Sequence, residues 1–281
     1  MSVLVEHCKS ISSFYDSEIW FILNPIEEEI KKKIISVSIP LSKCNIDIKR
    51  GVLTGLNEAF ILDEAKRKYL IEQDEKNAEI IRPLIRGRDV KRFKIEYPGL
   101  YILNIHNGIP GQLAPIDIDD YPVVKTFMTQ YINKLKKRKD QGITAYNLRS
   151  CSYLDDFYKP KIIYPETTQH ANFVFDKNGI FIDKTCFMML TDYPYYITCT
   201  LSSKLFEFAY KRIFSSIELG KNGYQYNKHA LLKLPIIKPS SELEDLFQKC
   251  NFDFNEINKK IYNLYNISDE EIDYIEKNSN F

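Results

Sequence analysis

Six basic side chains crowd the stretch RPLIRGRDVKRFK (82–94), where Arg86, Arg88, Lys91 and Arg92 surround a single acid, Asp89. Two further polar clusters interrupt apolar runs. RGVLTGLNEAF (50–60) holds Arg50, Thr54 and Asn57 between glycines, and PETTQHANF (165–173) sets Glu166, Thr168, Gln169, His170 and Asn172 between two β-like segments. Tyr224 and Lys228 follow in a later loop bearing glycine and tyrosine. Guanidinium and ammonium groups bind phosphates. Forked guanidinium or amide heads read base edges, and a carboxylate such as Asp89 can either hold a guanidinium or accept from a cytosine amino group. The chemistry on offer is recognition of a polyanion. A surface salt-bridge network would use the same arginines, and a long solvated hairpin loop would use the same TTQH residues.

Catalytic signatures are missing from the pattern. The four histidines (His7, His106, His170, His229) lack metal-ligand spacing, and no GxSxG, P-loop or glycine-rich cofactor fingerprint is present. LNPI (23–26) has one proline and no aromatic, so it is not the base-holding motif of an amino methyltransferase. Asp47-Ile48-Lys49 and Glu64-Ala65-Lys66 match the last element of a metal-dependent nuclease centre, the rival enzymatic reading. A third reading is a scaffold whose basic patches meet an acidic protein. The expectation is no catalytic residue, no metal and no cofactor of the chain's own.

The elements that must position these residues follow from periodicity. Residues 17–37 read as a helix interrupted near Pro25, with Trp20 and Phe21 available for the core or a partner. NIDIKR reads as a strand entering the glycine loop, and EAFIL as another strand. DEAKRKYLIEQ and NAEIIRPLIRG both read as helices, the second stopping at Gly87; YILNI (101–105) reads as a strand. Residues 119–139 form the longest helix expected, ending in the basic run KLKKRK. From 140 to 192, PKIIYPE, ANFVFD and GIFIDKTCFMML are strand-like, with DKNG expected to close a hairpin between the last two. A helix then follows over 195–213, and two or three helices over 241–277.

The 281 residues are 44% apolar, enough for a substantial core, and the six scattered cysteines read as reduced thiols without a CxxC pair. No membrane-length apolar run or signal peptide is present, so a cytoplasmic setting is expected. The net charge of +1 conceals an asymmetry. Residues 241–281 carry ten acidic and four basic side chains, a net of −6, leaving +7 on residues 1–240. The expected division is therefore a recognition domain over 1–240, led in by its N-terminal helix, and an acidic helical tail over 241–281. The tail would lie away from phosphate. The expected fold is mixed α/β (α+β): a twisted, largely antiparallel sheet, flanking helices and a C-terminal helical tail.

In order along the chain, IKRGVLTGLNEAF, AEIIRPLIRGRDVKRF, YNLRSCSYLDDFYKPKIIYPE, LSSKLFEFAYK, LLKLPII and KIYNLYNISDEEIDYIE resemble the TaqI-like C-terminal specificity domain. The resemblance runs from about residue 18 to the end. It implies a target-recognition domain of restriction-modification enzymes that methylate adenine N6, one that clamps duplex DNA against a methyltransferase domain or subunit. That partner would use S-adenosylmethionine and flip the adenine. It also implies that RGVLTGLNEAF is a structural and DNA-facing loop, and that Arg50, Arg86, Arg88 and Lys91 contact phosphate or base. In such enzymes the methyltransferase, and often a nuclease, precedes this domain in one polypeptide. Here Met1 stands where the linker would be, which fits either an excised domain or a stand-alone specificity subunit.

Overall fold

The computed structural model describes residues 23–214 and 223–279; Trp20 and Phe21 lie outside them. Its centre is an antiparallel four-stranded sheet. β1 (Asp47–Arg50), β5 (Lys161–Pro165), β6 (Val174–Asp176) and β8 (Cys186–Leu190) are ordered β6-β5-β8-β1. A second sheet combines β2 (Ile61–Asp63), β3 (Ile81–Ile85), β4 (Leu100–Leu103) and β7 (Phe181–Ile182) in the order β7-β3-β4-β2. Only β7 and β3 run parallel among the strand pairs of these sheets. The expected mixed α/β architecture with a largely antiparallel arrangement is what forms.

Alternation along the central strands builds two cores. Ile162 and Tyr164 of β5, with Phe187 and Met189 of β8, face one apolar cluster, while Ile163, Cys186 and Met188 face the other. The period of two sends neighbouring side chains to opposite faces, so a sheet covered on both sides reads as a continuous apolar run. The first core is completed by helices: Ile30 and Ile34 from Pro25–Val37, Ile197 from Pro194–Ser202, Phe206 from Lys204–Ala209, and Phe247, Ile257, Ile261 and Ile275 from the three C-terminal helices. The second core holds the second sheet, Leu70 of Glu64–Gln73, and Val124 and Met128 of Pro122–Thr129.

Local chemistry explains several boundaries. Asn24 and Glu27 form a capping box, with Pro25 in the first helical turn. Glu27 also accepts from Tyr274 Oη and Arg212, each at 3.2 Å, and Lys33 pairs with Glu271 at 2.7 Å. The N-terminal helix is thereby tied to the acidic C-terminal one. Ser203, in extended conformation, ends one helix and caps the next.

Four expectations are corrected. Residues 77–87 are not a helix: a 3-10 segment, Glu75–Ile80, leads into β3. Pro83 would break a helix interior, yet it fits opposite Tyr101 in the strand. EAFIL divides, the turn of helix Asn57–Phe60 passing directly into β2. DKNG closes no hairpin, because β6 and β7 belong to different sheets. Asp176 accepts from the Asn178 and Ile180 amides, both at 2.9 Å, and Gly179 takes φ +70° to carry the chain across. The long helix over 119–139 breaks into Pro122–Thr129 and Ile132–Leu135. Past that break, Arg138 is buried and donates to the carbonyls of Thr54 (2.8 Å), Ala145 (2.8 Å) and Asn147 (2.7 Å).

Both glycines of the 50–60 stretch have a reason. A Cβ on Gly51 would lie 2.0 Å from the Asp183 carbonyl oxygen, and Gly55 takes φ +69°. Gly51→Ala is expected to lower stability by about 2–3 kcal/mol by overpacking, read as a drop in midpoint in urea unfolding. Removing residues 241–281 strips Phe247, Ile257 and Ile261 from the first core. At about 2 kcal/mol each, that approaches the whole stability margin of about 5–15 kcal/mol. The truncated chain should lose its cooperative thermal transition in circular dichroism.

Candidate nucleic-acid interface

Three strands of the central sheet end at one edge. Cys186 pairs with Pro165 and Phe187 with Arg50. Loop 166–172, turn 183–185 and segment 51–57 therefore all emerge from the same side of the sheet. The turn after β3 is seated against them. The Gly87 amide donates to Thr185 Oγ1 at 2.8 Å, and a Cβ on Gly87 would stand 3.1 Å from both Pro165 Cβ and the Thr185 carbonyl. Asp183 in turn holds the Thr185 hydroxyl and amide.

This seating opens a groove of about 770 Å³. Arg86, Arg88 and Lys91 line it together with Glu166, Thr168 and Gln169. The two polar clusters, some eighty residues apart in sequence, thus share a single concavity. Arg88 is the most open cation: its side chain is 73% exposed, and the nearest carboxylate, Asp89, is 3.8 Å away. Lys91 is half-exposed and donates to the Arg88 carbonyl at 2.8 Å. Gln169 is exposed, and its carboxamide has no hydrogen bond among the described residues. Glu166 brings negative charge into the groove, but Arg50 Nη2 donates to it at 2.6 Å. Arg50 also donates to the Lys184 carbonyl at 3.0 Å and lies 5.6 Å over the Phe187 ring, so it fastens the loop to the sheet.

Other residues singled out in the sequence hold structure together. Asp89 is buried and accepts from the Arg86 amide at 2.8 Å, closing the turn. The Arg86 guanidinium reaches toward Asp183 at 3.9 Å. Arg92 points away from the groove, pairs with Glu207 and covers the Phe254 ring at 4.3 Å. Glu207, only 4% exposed, also receives Lys211 at 2.7 Å and faces His170 Nδ1 at 3.3 Å. Lys211 donates to the Gln169 carbonyl at 2.6 Å as well. Burial lowers the Lys211 pKa, and Glu207 opposes that shift. Glu207 was not singled out in the sequence. Its signal is the Glu207–Lys211 spacing of four on an otherwise apolar helix.

Thr168 pairs across a short ladder with Tyr224, and its hydroxyl accepts from Asn172 at 3.0 Å. Lys228 is exposed but donates to the Ile48 carbonyl at 2.7 Å. Thr54 is buried and donates to Asn57 Oδ1 at 2.6 Å. Both residues stand outside the groove lining, with Asn57 exposed. Of the residues considered for nuclease chemistry, Lys49 is held between Asp47 (2.8 Å) and Asp156, and Glu64 pairs with Arg67 at 3.0 Å on an exposed helix. Among the described residues, no three His, Cys, Asp or Glu side chains form a group able to hold a metal ion. No described helix is long and apolar enough to cross a membrane.

This fold, carrying a loop-built polar groove at one sheet edge, is that of the specificity domains of restriction-modification enzymes. The chain belongs to the TaqI-like C-terminal specificity domain family, whose profile matches residues 82–236. A curated relative is the Type II methyltransferase M.BstVI of Geobacillus stearothermophilus, 24% identical over 175 residues, covering 60% of this chain and 29% of that protein. Two solved structures share the fold. One is the Type IIL restriction-modification enzyme MmeI in complex with DNA, with 12% identity, a TM-score of 0.57, and coverage of 85% of this chain and 36% of that one. The other is the type IIG restriction endonuclease BpuSI, with 12% identity, a TM-score of 0.55, and coverage of 90% and 32%. The chain spans about a third of the length of each of these proteins.

The two kinds of arginine should separate experimentally. Arg92→Ala is expected to lower the melting temperature by several degrees, since it removes one of the cations paired with a buried carboxylate and uncovers the Phe254 ring. Arg88→Ala should leave the melting temperature within about a degree, as exposed charges do. Differential scanning fluorimetry on both variants checks this; equal destabilisation would sink the distinction.

Proposed function

We propose that the chain reads part of a duplex DNA target for a restriction-modification system, directing an adenine-N6 methyltransferase domain or subunit to its site, without catalysis of its own. The observation that carries this reading is the groove itself. An open guanidinium on Arg88 and an uncommitted carboxamide on Gln169 both line it, with Arg50 and Glu207 fastening the neighbouring chain segments. Arg88, Lys91 and Arg86 supply the cationic wall for phosphates or guanine edges. Gln169 suits adenine, with Thr168 and His170 beside it. Arg50, Asp89, Arg92 and Tyr224 then act as positioning residues. Asn57 and Lys228 are exposed and belong to the surface outside the groove, while buried Thr54 positions Asn57.

Residues 1–240 are proposed as the recognition region. The acidic helices of 241–281 complete its first core while keeping their net charge of −6 away from phosphate. A methyltransferase partner accords with the relative named as a Type II methyltransferase, and that partner would bring S-adenosylmethionine and the flipped-base chemistry. A cytoplasmic setting follows from that role.

Selection of bound duplexes from a randomised pool at low salt, followed by anisotropy on the winner, tests the reading. The expected result is an enriched motif of several base pairs whose affinity falls about tenfold or more in Arg88→Ala, in line with about 1–3 kcal/mol for a bidentate base contact. Lys91→Ala should reduce the log-log salt slope by about 1 without changing the motif. Binding without enrichment would leave sequence reading to the partner. Absence of binding would defeat the proposal.

A further inference from the structure

Arg50 lines a second, more enclosed cavity of about 370 Å³. Its guanidinium donates to Glu166, which lines the groove, so this residue links the two spaces. Its aromatic side is Tyr153 and Phe157, with rings 6.2 Å apart and 20° from parallel. Tyr153 Oη donates to the Arg50 carbonyl at 3.2 Å, which holds that side in place. Val52 and Leu53 contribute apolar surface.

Two polar residues of this lining are not explained by packing. Asn104 is 3% exposed; its Nδ2 donates to Tyr158 Oη at 3.1 Å, and its Oδ1 has no hydrogen-bond partner among the described residues. Leaving such an acceptor buried and unmatched is costly, and native structures keep few of them. His106 Nδ1 accepts from the Gly108 amide at 3.1 Å, so the neutral ring carries its proton on Nε2 and offers a donor there. Burial lowers the His106 pKa, and the charge of Arg82 acts in the same direction, which favours that neutral form. The lining therefore offers one acceptor and one donor beside aromatic and apolar walls. Arg149 joins Arg50 as a second cation of the lining; it is half-exposed, with Asp140 at 3.4 Å.

We propose that this cavity binds an amine-bearing nucleobase turned out of the duplex, Asn104 Oδ1 accepting from the exocyclic amine and His106 Nε2 donating to the adjacent ring nitrogen. Adenine and cytosine present that amine and ring-nitrogen pair; thymine has no amine. The base plane stacks against Tyr153, and Arg149 meets the phosphate. Stacking between aromatic and apolar side chains with hydrogen bonds to the Watson–Crick edge is how extruded bases are held. A free nucleotide carries the same edge. The duplex as the source of the base rests on the DNA-reading proposal above, whereas the pocket chemistry does not.

The test compares duplexes carrying one bulged adenine, cytosine or thymine with the matched duplex, by anisotropy at low salt. A bulged base is already unpaired, which removes part of the extrusion cost of a few kcal/mol. Bulged adenine or cytosine should bind about tenfold tighter than bulged thymine. Leu53→Trp, which fills the cavity without touching the buried polar groups, should erase that preference while matched-duplex affinity stays within twofold. Asn104→Leu should erase it too, with thermal unfolding confirming the fold. In parallel, AMP, CMP and TMP are titrated into the chain and followed by amide chemical shifts. Shifts of Asn104, His106 and Tyr153 with AMP or CMP, but no duplex binding at all, would support the pocket as a free-nucleotide site and defeat the DNA reading alone. Equal affinity for all bulges with no mononucleotide response at these residues overturns the inference, even where matched duplex still binds the groove. So does a preference that survives both variants.

Discussion

The structure depends on one constraint: the central sheet is buried on both faces. Ile162 and Tyr164 serve one core while Ile163 serves the other, and β8 repeats the arrangement with Phe187 and Met189 against Cys186 and Met188. A slip of one residue in register would exchange the two sets of side chains between cores of different shape. At the sheet's end even the polar pair is internal. Lys161 and Asp176 meet at 2.7 Å with almost no exposure, and Lys161 makes a second bond to the Phe157 carbonyl at 2.7 Å. Burial lowers the Lys161 pKa and Asp176 opposes it. Replacing either partner alone would strand a buried charge, which costs more than such a pair contributes when intact.

Because the register is fixed, the position at which the strands end is fixed too. Pro165, Cys186 and Arg50 stand together at one edge, and the segments that follow or precede them have no freedom to emerge elsewhere. Gly51 and Gly87 are the points where other chain segments press against that edge. In each case a side chain would meet the backbone of residues 182–185. The groove is therefore a product of sheet geometry, and its loops supply only the chemistry.

Charge is sorted by the same geometry. Arg88 and Arg92 are four residues apart in one basic run, yet one faces solvent and the other covers Phe254 and pairs with buried Glu207. Arg138 sits in a run of lysines and is spent on three backbone carbonyls. Counting basic residues thus overstates the surface available to phosphate. The acidic C-terminal helices show the converse: their polar faces carry the negative excess while Phe247, Ile257 and Ile261 fill the first core.

The strands of 161–190 were legible because β-branched and aromatic density survives in any context. So were the helix over 64–73 and the C-terminal helices, because their caps and apolar spacing are local. Both polar clusters of the groove were also visible, since glycines and amides between apolar runs need no tertiary information to stand out. The sequence by itself thus determined the mixed α/β class, most elements, and which side-chain types were available for recognition. The tertiary structure alone decided which of them meet. Within 77–87, residues 81–85 became a strand because β4 and β7 flank it, DKNG became a crossover because its two strands joined different sheets, and Asp89 and Thr54 turned inward to close turns. The reason is that burial and hydrogen-bond partners of a charged side chain are set by residues remote in sequence: Glu207 for Arg92, Thr54 for Arg138, Glu166 for Arg50.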